Sequence, residues 1–205
     1  MFVVGIDVGT RNLGMCIIQQ GHPLSPKPIR LFRWVNIDIV PTAKNINKVD
    51  MARLISCAVD QVWDILEEAR ILSGGELSVA IERQPNCNPR MKALGASIFS
   101  ASYVFTKLNQ NSRVCYVSPG KKFLVSKSSC VNRSSLSPKA TTRARYVANK
   151  KDGVLTCRML LDTERVEFFG ETAALGREIF DNSRKKDDLA DSLLVALSYL
   201  KVELP

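Results

Sequence analysis

At 205 residues the chain is long enough to bury one substantial core and short enough that a single domain spanning residues 1–205 is expected. No apolar run approaches the ~18 to 20 residues that a bilayer crossing needs, which argues against a membrane protein. The formal charge of +9 points to an anionic partner, while one histidine (His22) and six cysteines without a CxxC pair argue against a structural zinc site. The scattered thiols read as reduced residues, and no basic segment with a cleavage site precedes the run from Phe2. Both features suggest an intracellular, cytoplasmic protein.

In chain order, Phe2 to Ile6 is a β-branched run, Gly9 to Asn12 supplies a turn, and Leu13 to Ile18 resumes the apolar stretch, giving two antiparallel strands. Leu31 to Ile39 reads as a third strand. Met51, Leu54, Ile55, Ala58, Val62, Leu66 and Ala69 then follow the spacing of an amphipathic helix, ended by Gly74 and Gly75. Leu77 to Ile81 is a short strand. Lys92 to Leu108 is helical but apolar nearly all round, so it is expected to lie centrally or against a second subunit. Arg113 to Val117 is another strand, and 121–145 reads as a mobile basic loop. Ala140 to Leu161 is partly helical with a break at Gly153, Asp162 to Arg184 has no clear pattern, and a leucine-rich helix begins near Asp187. This order describes an α/β layer fold with a mixed five-stranded sheet flanked by helices, which is also the order of the RNase H-like fold.

The charge is unevenly placed. Between Arg83 and Lys151 there are fourteen basic residues and no acid, leaving fifteen basic residues to face all 20 acids elsewhere. Such a segment repels itself unless a polyanion lies against it, so nucleic acid is the expected partner; a solvated basic loop is the alternative. Arg83, Arg90, Lys121, Lys122 and Lys150 in this segment, with Arg11 in the first turn, are candidate DNA contacts.

Four acids stand where apolar neighbours make a charge costly. Asp7 follows Val3-Val4-Gly5-Ile6, and Glu82 follows Val79-Ala80-Ile81. Asp188 and Asp191, three apart on the last helix, share one face beside the leucine stripe. Three have a plainer explanation: Asp7 could cap its own turn, Glu82 could pair with Arg83, and Asp188, like its neighbour Asp187, could complement the helix dipole, whereas Asp191, a like charge three residues on, is less easily explained. Together they suggest one site, and an all-oxygen donor set selects Mg²⁺ or Mn²⁺. Paired hard cations stabilise the attacking and leaving oxygens of a phosphodiester displacement, so acids beside a basic segment read as a nuclease.

Four segments, Gly5-Ile6-Asp7-Val8-Gly9-Thr10-Arg11-Asn12-Leu13-Gly14, Ile81-Glu82-Arg83-Gln84-Pro85, Val117-Ser118-Pro119 and Lys185-Lys186-Asp187-Asp188-Leu189-Ala190-Asp191-Ser192, resemble in order and role those of RuvC-like Holliday junction resolvases, above all the poxvirus branch and, more distantly, mitochondrial cruciform-cutting enzymes. The resemblance implies an RNase H-like fold and a Mg²⁺-dependent endonuclease (Mn²⁺ able to substitute) with Asp7, Glu82, Asp188 and Asp191 as catalytic metal ligands. It further implies a catalytic lysine, assigned to Lys151 of the Lys150-Lys151 pair with Lys121 as second candidate. The partners it implies are branched DNA, in the form of a four-way junction, and a second copy of the chain in a homodimer, with the cytoplasm of an infected cell as the location if the protein is viral. The rivals are a general or RNA-processing nuclease of the same fold, an actin-like ATPase, which would need two such domains, and a non-catalytic branched-DNA-binding module, which would not need four acids.

Overall fold

The run Phe2–Val8 forms the central strand, β1, because alternate residues have apolar partners on both faces of the sheet. The computed structural model describes residues 1–21, 28–84, 88–109, 112–120 and 141–200. Within it β1 pairs antiparallel with β2 (Asn12–Gln20), which pairs antiparallel with β3 (Ile29–Asp38). The β1–β2 turn is closed by Gly9 N–H donating to the Asn12 carbonyl at 3.0 Å. On the other side of β1, β4 (Leu77–Glu82) runs parallel to it, and β5 (Arg113–Val117) runs parallel to β4.

Two layers of helix cover the sheet. Helix α1 (Met51–Ser73) starts at Asp50, whose side chain accepts from Arg53 N–H, and stops at Gly74, which adopts the left-handed conformation (φ 65°) that glycine takes without strain. It packs with α2 (Pro89–Leu108) over Val4, Ile6, Leu13, Ile17 and Ile81. The opposite face, carrying Val3, Cys16, Ile18 and Ala80, receives α6 (Lys186–Leu200). Fully buried Leu193, Leu194 and Leu197 hold α6 there, each contributing about 1.5–3 kcal/mol relative to exposure. Helix α3 (Thr142–Asp162) packs on α6 from outside. Among the described residues no helix is long and apolar enough to cross a membrane.

The structure corrects the sequence reading in four places. The sheet has six strands, in the order β5-β4-β1-β2-β3-β6, because Val166–Phe168 (β6) pairs parallel with Ile29–Leu31. Three residues are too few to carry a period, so β6 was hidden in the patternless stretch, which also holds the short helices α4 (Glu171–Leu175) and α5 (Glu178–Asp181). Helix α3 continues through Gly153 instead of breaking. A Cβ there would sit 3.2 Å from Asp191 Oδ1, so the missing side chain serves close helix contact. The basic loop read to residue 145 ends earlier, since Thr141 caps α3 by accepting from Ala144 N–H, and 121–140 lies outside the described residues. Finally, α2 buries one face only: Leu94, Ile98 and Phe105 are enclosed, while Tyr103, Val104 and Leu108 are 48%, 52% and 72% exposed.

Candidate active site

Strand parity and register bring the first two acids together. Side chains alternate across a strand, so Asp7 shares the α6 face with Val3 and Gly5, and Glu82 shares it with Ala80. Ile6 lies beside Ile81 in the parallel β1–β4 pair, which makes Asp7 and Glu82 neighbours at the C-terminal ends of adjacent strands. Ligands of open α/β sheets bind outside such ends.

The third acid arrives because α6 approaches the sheet almost to backbone contact. A Cβ on Gly5 would lie 2.3 Å from the Ser192 carbonyl oxygen, and one on Gly14 would lie 2.2 Å from that of Asp188. Neither position has room for a side chain. With the helix seated this deeply, Asp7, Glu82 and Asp191 each bring a carboxylate oxygen within 4.8 Å of the others. Glu82 is 8% exposed and Asp191 9%. Ionised carboxylates at that spacing repel by roughly 3 kcal/mol per pair at the effective dielectric typical of proteins, an energy that a divalent cation would offset.

The donor chemistry fits a hard cation. Two thiols lie on the same face, Cys16 in β2 and Cys157 in α3, but burial pushes Cys16 up to about 12 and raises Cys157 as well, helped by Cys16 and Asp191. The cluster itself, Asp7, Glu82 and Asp191, offers only carboxylate oxygens, the donors that suit a hard cation.

Asp188 does not join this triad. It lies one turn N-terminal to Asp191, its side chain 14% exposed, where Asn36 Nδ2 approaches Oδ2 at 3.5 Å and Asn12 supplies a further side-chain hydrogen bond. Lys150 Nζ stands 3.9 Å from Asp188 Oδ1 and makes a closer ion pair with Asp187. Burial, then the neighbouring Asp187 charge, raises the Asp188 carboxyl above its ordinary value, and Lys150 only partly opposes this. Burial also pushes Asp187 upward, but the hydrogen bond and charge of Lys150 outweigh it and hold that carboxyl below the usual range. One lysine thus separates the roles of two adjacent acids.

No family model and no curated protein matches the sequence. Solved structures do match. A yeast mitochondrial Holliday junction resolvase, Ydc2, superposes with TM-score 0.61 and 18% identity over 98% of this chain and 79% of its own. RuvC of Thermus thermophilus, in complex with a Holliday junction substrate, gives TM-score 0.57 and 17% identity over 98% of this chain and 93% of its own. A second structure of that RuvC gives 0.56 and 15% over the same shares. The fold is that of the RuvC-type resolvases.

The remaining candidates fall into three groups. Arg11 donates twice to Asp38 Oδ2, at 2.9 and 2.7 Å, and once to the Ala43 carbonyl, while Arg90 donates to the carbonyls of Ile46 and Val49. Both tie loops to the body of the protein. Arg83 is exposed beside Glu82, its guanidinium 5.8 Å from the Tyr116 ring centre, and Lys151 is exposed on α3. Lys121 and Lys122 lie outside the described residues. Sequence reasoning missed Asn12 and Asn36. Their signal was parity: Asn36 pairs with Gly14 across β2–β3, and both asparagines fall on the α6 face, where a polar residue needs a partner.

Proposed function

We propose that the chain is a divalent-cation-dependent endodeoxyribonuclease that resolves four-way DNA junctions by paired nicks. The observation that carries this reading is the gathering of Asp7, Glu82 and Asp191 within 4.8 Å on a fold shared with resolvases. Those three acids would hold Mg²⁺ or Mn²⁺, with Asp188, one turn away on α6, completing the site when DNA is bound. The bound cation would activate water and stabilise the leaving oxygen of an in-line displacement.

The chain's own residues orient the substrate and control charge. Lys150, which pairs with Asp187 and stands 3.9 Å from Asp188, is proposed in place of Lys151 as the basic residue near the scissile phosphate; Lys151, one position on, would contact the flanking backbone. Arg83, next to Glu82 and exposed, reaches DNA from the other side, and Lys121 and Lys122 extend the basic surface. Arg11 and Arg90 hold the loops around the site. The exposed apolar face of α2, with Tyr103, Val104 and Leu108, serves a homodimer that places two sites on one junction. The resemblance of the chain's motifs to the poxvirus branch supports a place in recombination or viral genome processing.

The reading is tested by incubating the protein with a synthetic four-way junction, a linear duplex of equal length and an RNA–DNA hybrid, with and without Mg²⁺. Selective, Mg²⁺-dependent nicking of the junction is expected; equal cutting of junction and duplex would indicate a general nuclease of the same fold.

A further inference from the structure

The groove between α3 and the start of α6 is built for something other than a phosphate alone. It is a shallow groove, open to solvent, of about 480 Å³, and its walls combine Val154 and Leu155 with a rim of Lys150, Lys151, Arg184 and Lys186. Its one acid, Asp187, is ion-paired with Lys150. Leu155 is 47% exposed although it is a leucine on a helix whose other face packs well. Lys186 is steered along the rim by donating to the carbonyls of Asp181, at 2.7 Å, and Ser183, at 3.2 Å. An apolar floor under a cationic rim complements a nucleotide, whose base is flat and apolar on its faces and whose phosphates are anionic. The groove lies near the acids: Asp187 on its wall immediately precedes Asp188, and α3 turns Gly153 toward Asp191 while the adjacent Val154 lines the groove.

We propose that this groove seats one unpaired nucleotide of the cut strand next to the scissile phosphate, with the base on Val154 and Leu155 and the flanking phosphates on Lys151, Arg184 and Lys186. The proposal rests on the junction-nuclease reading, since pairing and stacking are more easily interrupted at a branch point than along intact duplex. It assigns to Arg184, Lys186 and Leu155 a part in choosing branched over linear DNA. Seating the base costs its stacking in the duplex, a cost smallest where pairing is already interrupted.

The test measures anisotropy of two labelled probes in EDTA with the full chain: an eight-nucleotide deoxythymidine oligomer and an abasic deoxyribose-phosphate oligomer of equal length. Leu155→Ser should weaken the base-bearing probe about three-fold and leave the abasic probe unchanged, while Leu155→Phe should tighten only the base-bearing probe, by a similar factor, through stacking. Arg184→Gln should weaken both probes several-fold and lower the salt slope by about one. A misfolded variant cannot mimic the gain from Leu155→Phe. Unchanged binding in all three variants, equal effects of Leu155→Ser on both probes, or a change of oligomeric state with Leu155→Ser would overturn the proposal. Junction cleavage by the unaltered protein is followed in parallel: cleavage with unresponsive probes removes the groove and keeps the nuclease, and responsive probes without cleavage do the reverse.

Discussion

Lys150 and Lys151 are adjacent in sequence, yet their surroundings differ. Lys150 pairs with Asp187 and stands 3.9 Å from Asp188, whereas Lys151 is exposed toward the groove. Replacing Lys150 by alanine leaves Asp187 and Asp188 repelling each other at the start of α6, and it removes the cation that pairs with Asp187 and stands 3.9 Å from Asp188. We expect Lys150→Ala to lower junction cleavage by roughly 10²-fold or more at saturating DNA, in the range seen when one positioned electrostatic group is lost. Lys151→Ala should act mainly on binding, by a few-fold, with a smaller salt slope. Single-turnover rates and binding isotherms for the two variants separate these outcomes; equal losses in rate would contradict the distinction. The sequence reading named Lys151 from the pair; which member faces the acids was not legible in it, because 3.6 residues per turn sends neighbours about 100° apart and the side that α6 occupies is a tertiary fact.

Packing of α6 on β1 and β2 is what converts three separated acids into a site. Gly14 gives the clearest check, because a methyl group there would meet the Asp188 backbone oxygen at 2.2 Å, and neither backbone can yield cheaply. Gly14→Ala should therefore destabilise the protein by about 2–3 kcal/mol, the upper range for overpacking, as measured by urea unfolding. Gly153→Ala should behave differently. Alanine gains up to about 1 kcal/mol of helix propensity in α3, and the contact it crowds is the Asp191 carboxylate at 3.2 Å, which can shift by a few tenths of an ångström. Stability should be nearly unchanged while cation affinity falls; a loss of stability comparable with Gly14→Ala would contradict this. Most elements were legible because period and punctuation agree: alternation in β1 and β2, the 3.6-residue stripe of α1, and Gly74 at its end. The three-residue β6 was not, and Gly153 was misread as a break because a glycine's local cost is visible in sequence and its packing partner is not.

At the scale of the molecule, one face of the sheet holds the acids and the other supports α2, whose outer surface exposes Tyr103, Val104 and Leu108. The homodimer proposed from that surface predicts that Val104→Glu, which puts a charge on a residue already 52% exposed, shifts sedimentation toward monomer without loss of thermal stability in the monomer itself. Unchanged sedimentation would place the dimer contact elsewhere or remove it. The acids were legible as candidates from their apolar neighbours, but the separation of Asp188 from the triad depends on Asn12, Asn36 and Lys150, which come from β2, β3 and α3 and meet only in the folded chain. Asp7, Glu82 and Asp191 are placed to hold a divalent cation together. Their joint hold on the ion is tested most directly by thermal melting of the unaltered protein and Asp7→Asn across a Mg²⁺ and Mn²⁺ titration without DNA. The melting temperature should rise with cation concentration in the unaltered protein, by the mass-action stabilisation of a folded state that alone binds the ion, and stay flat in Asp7→Asn. Equal shifts in the two proteins, or none in either, would contradict it.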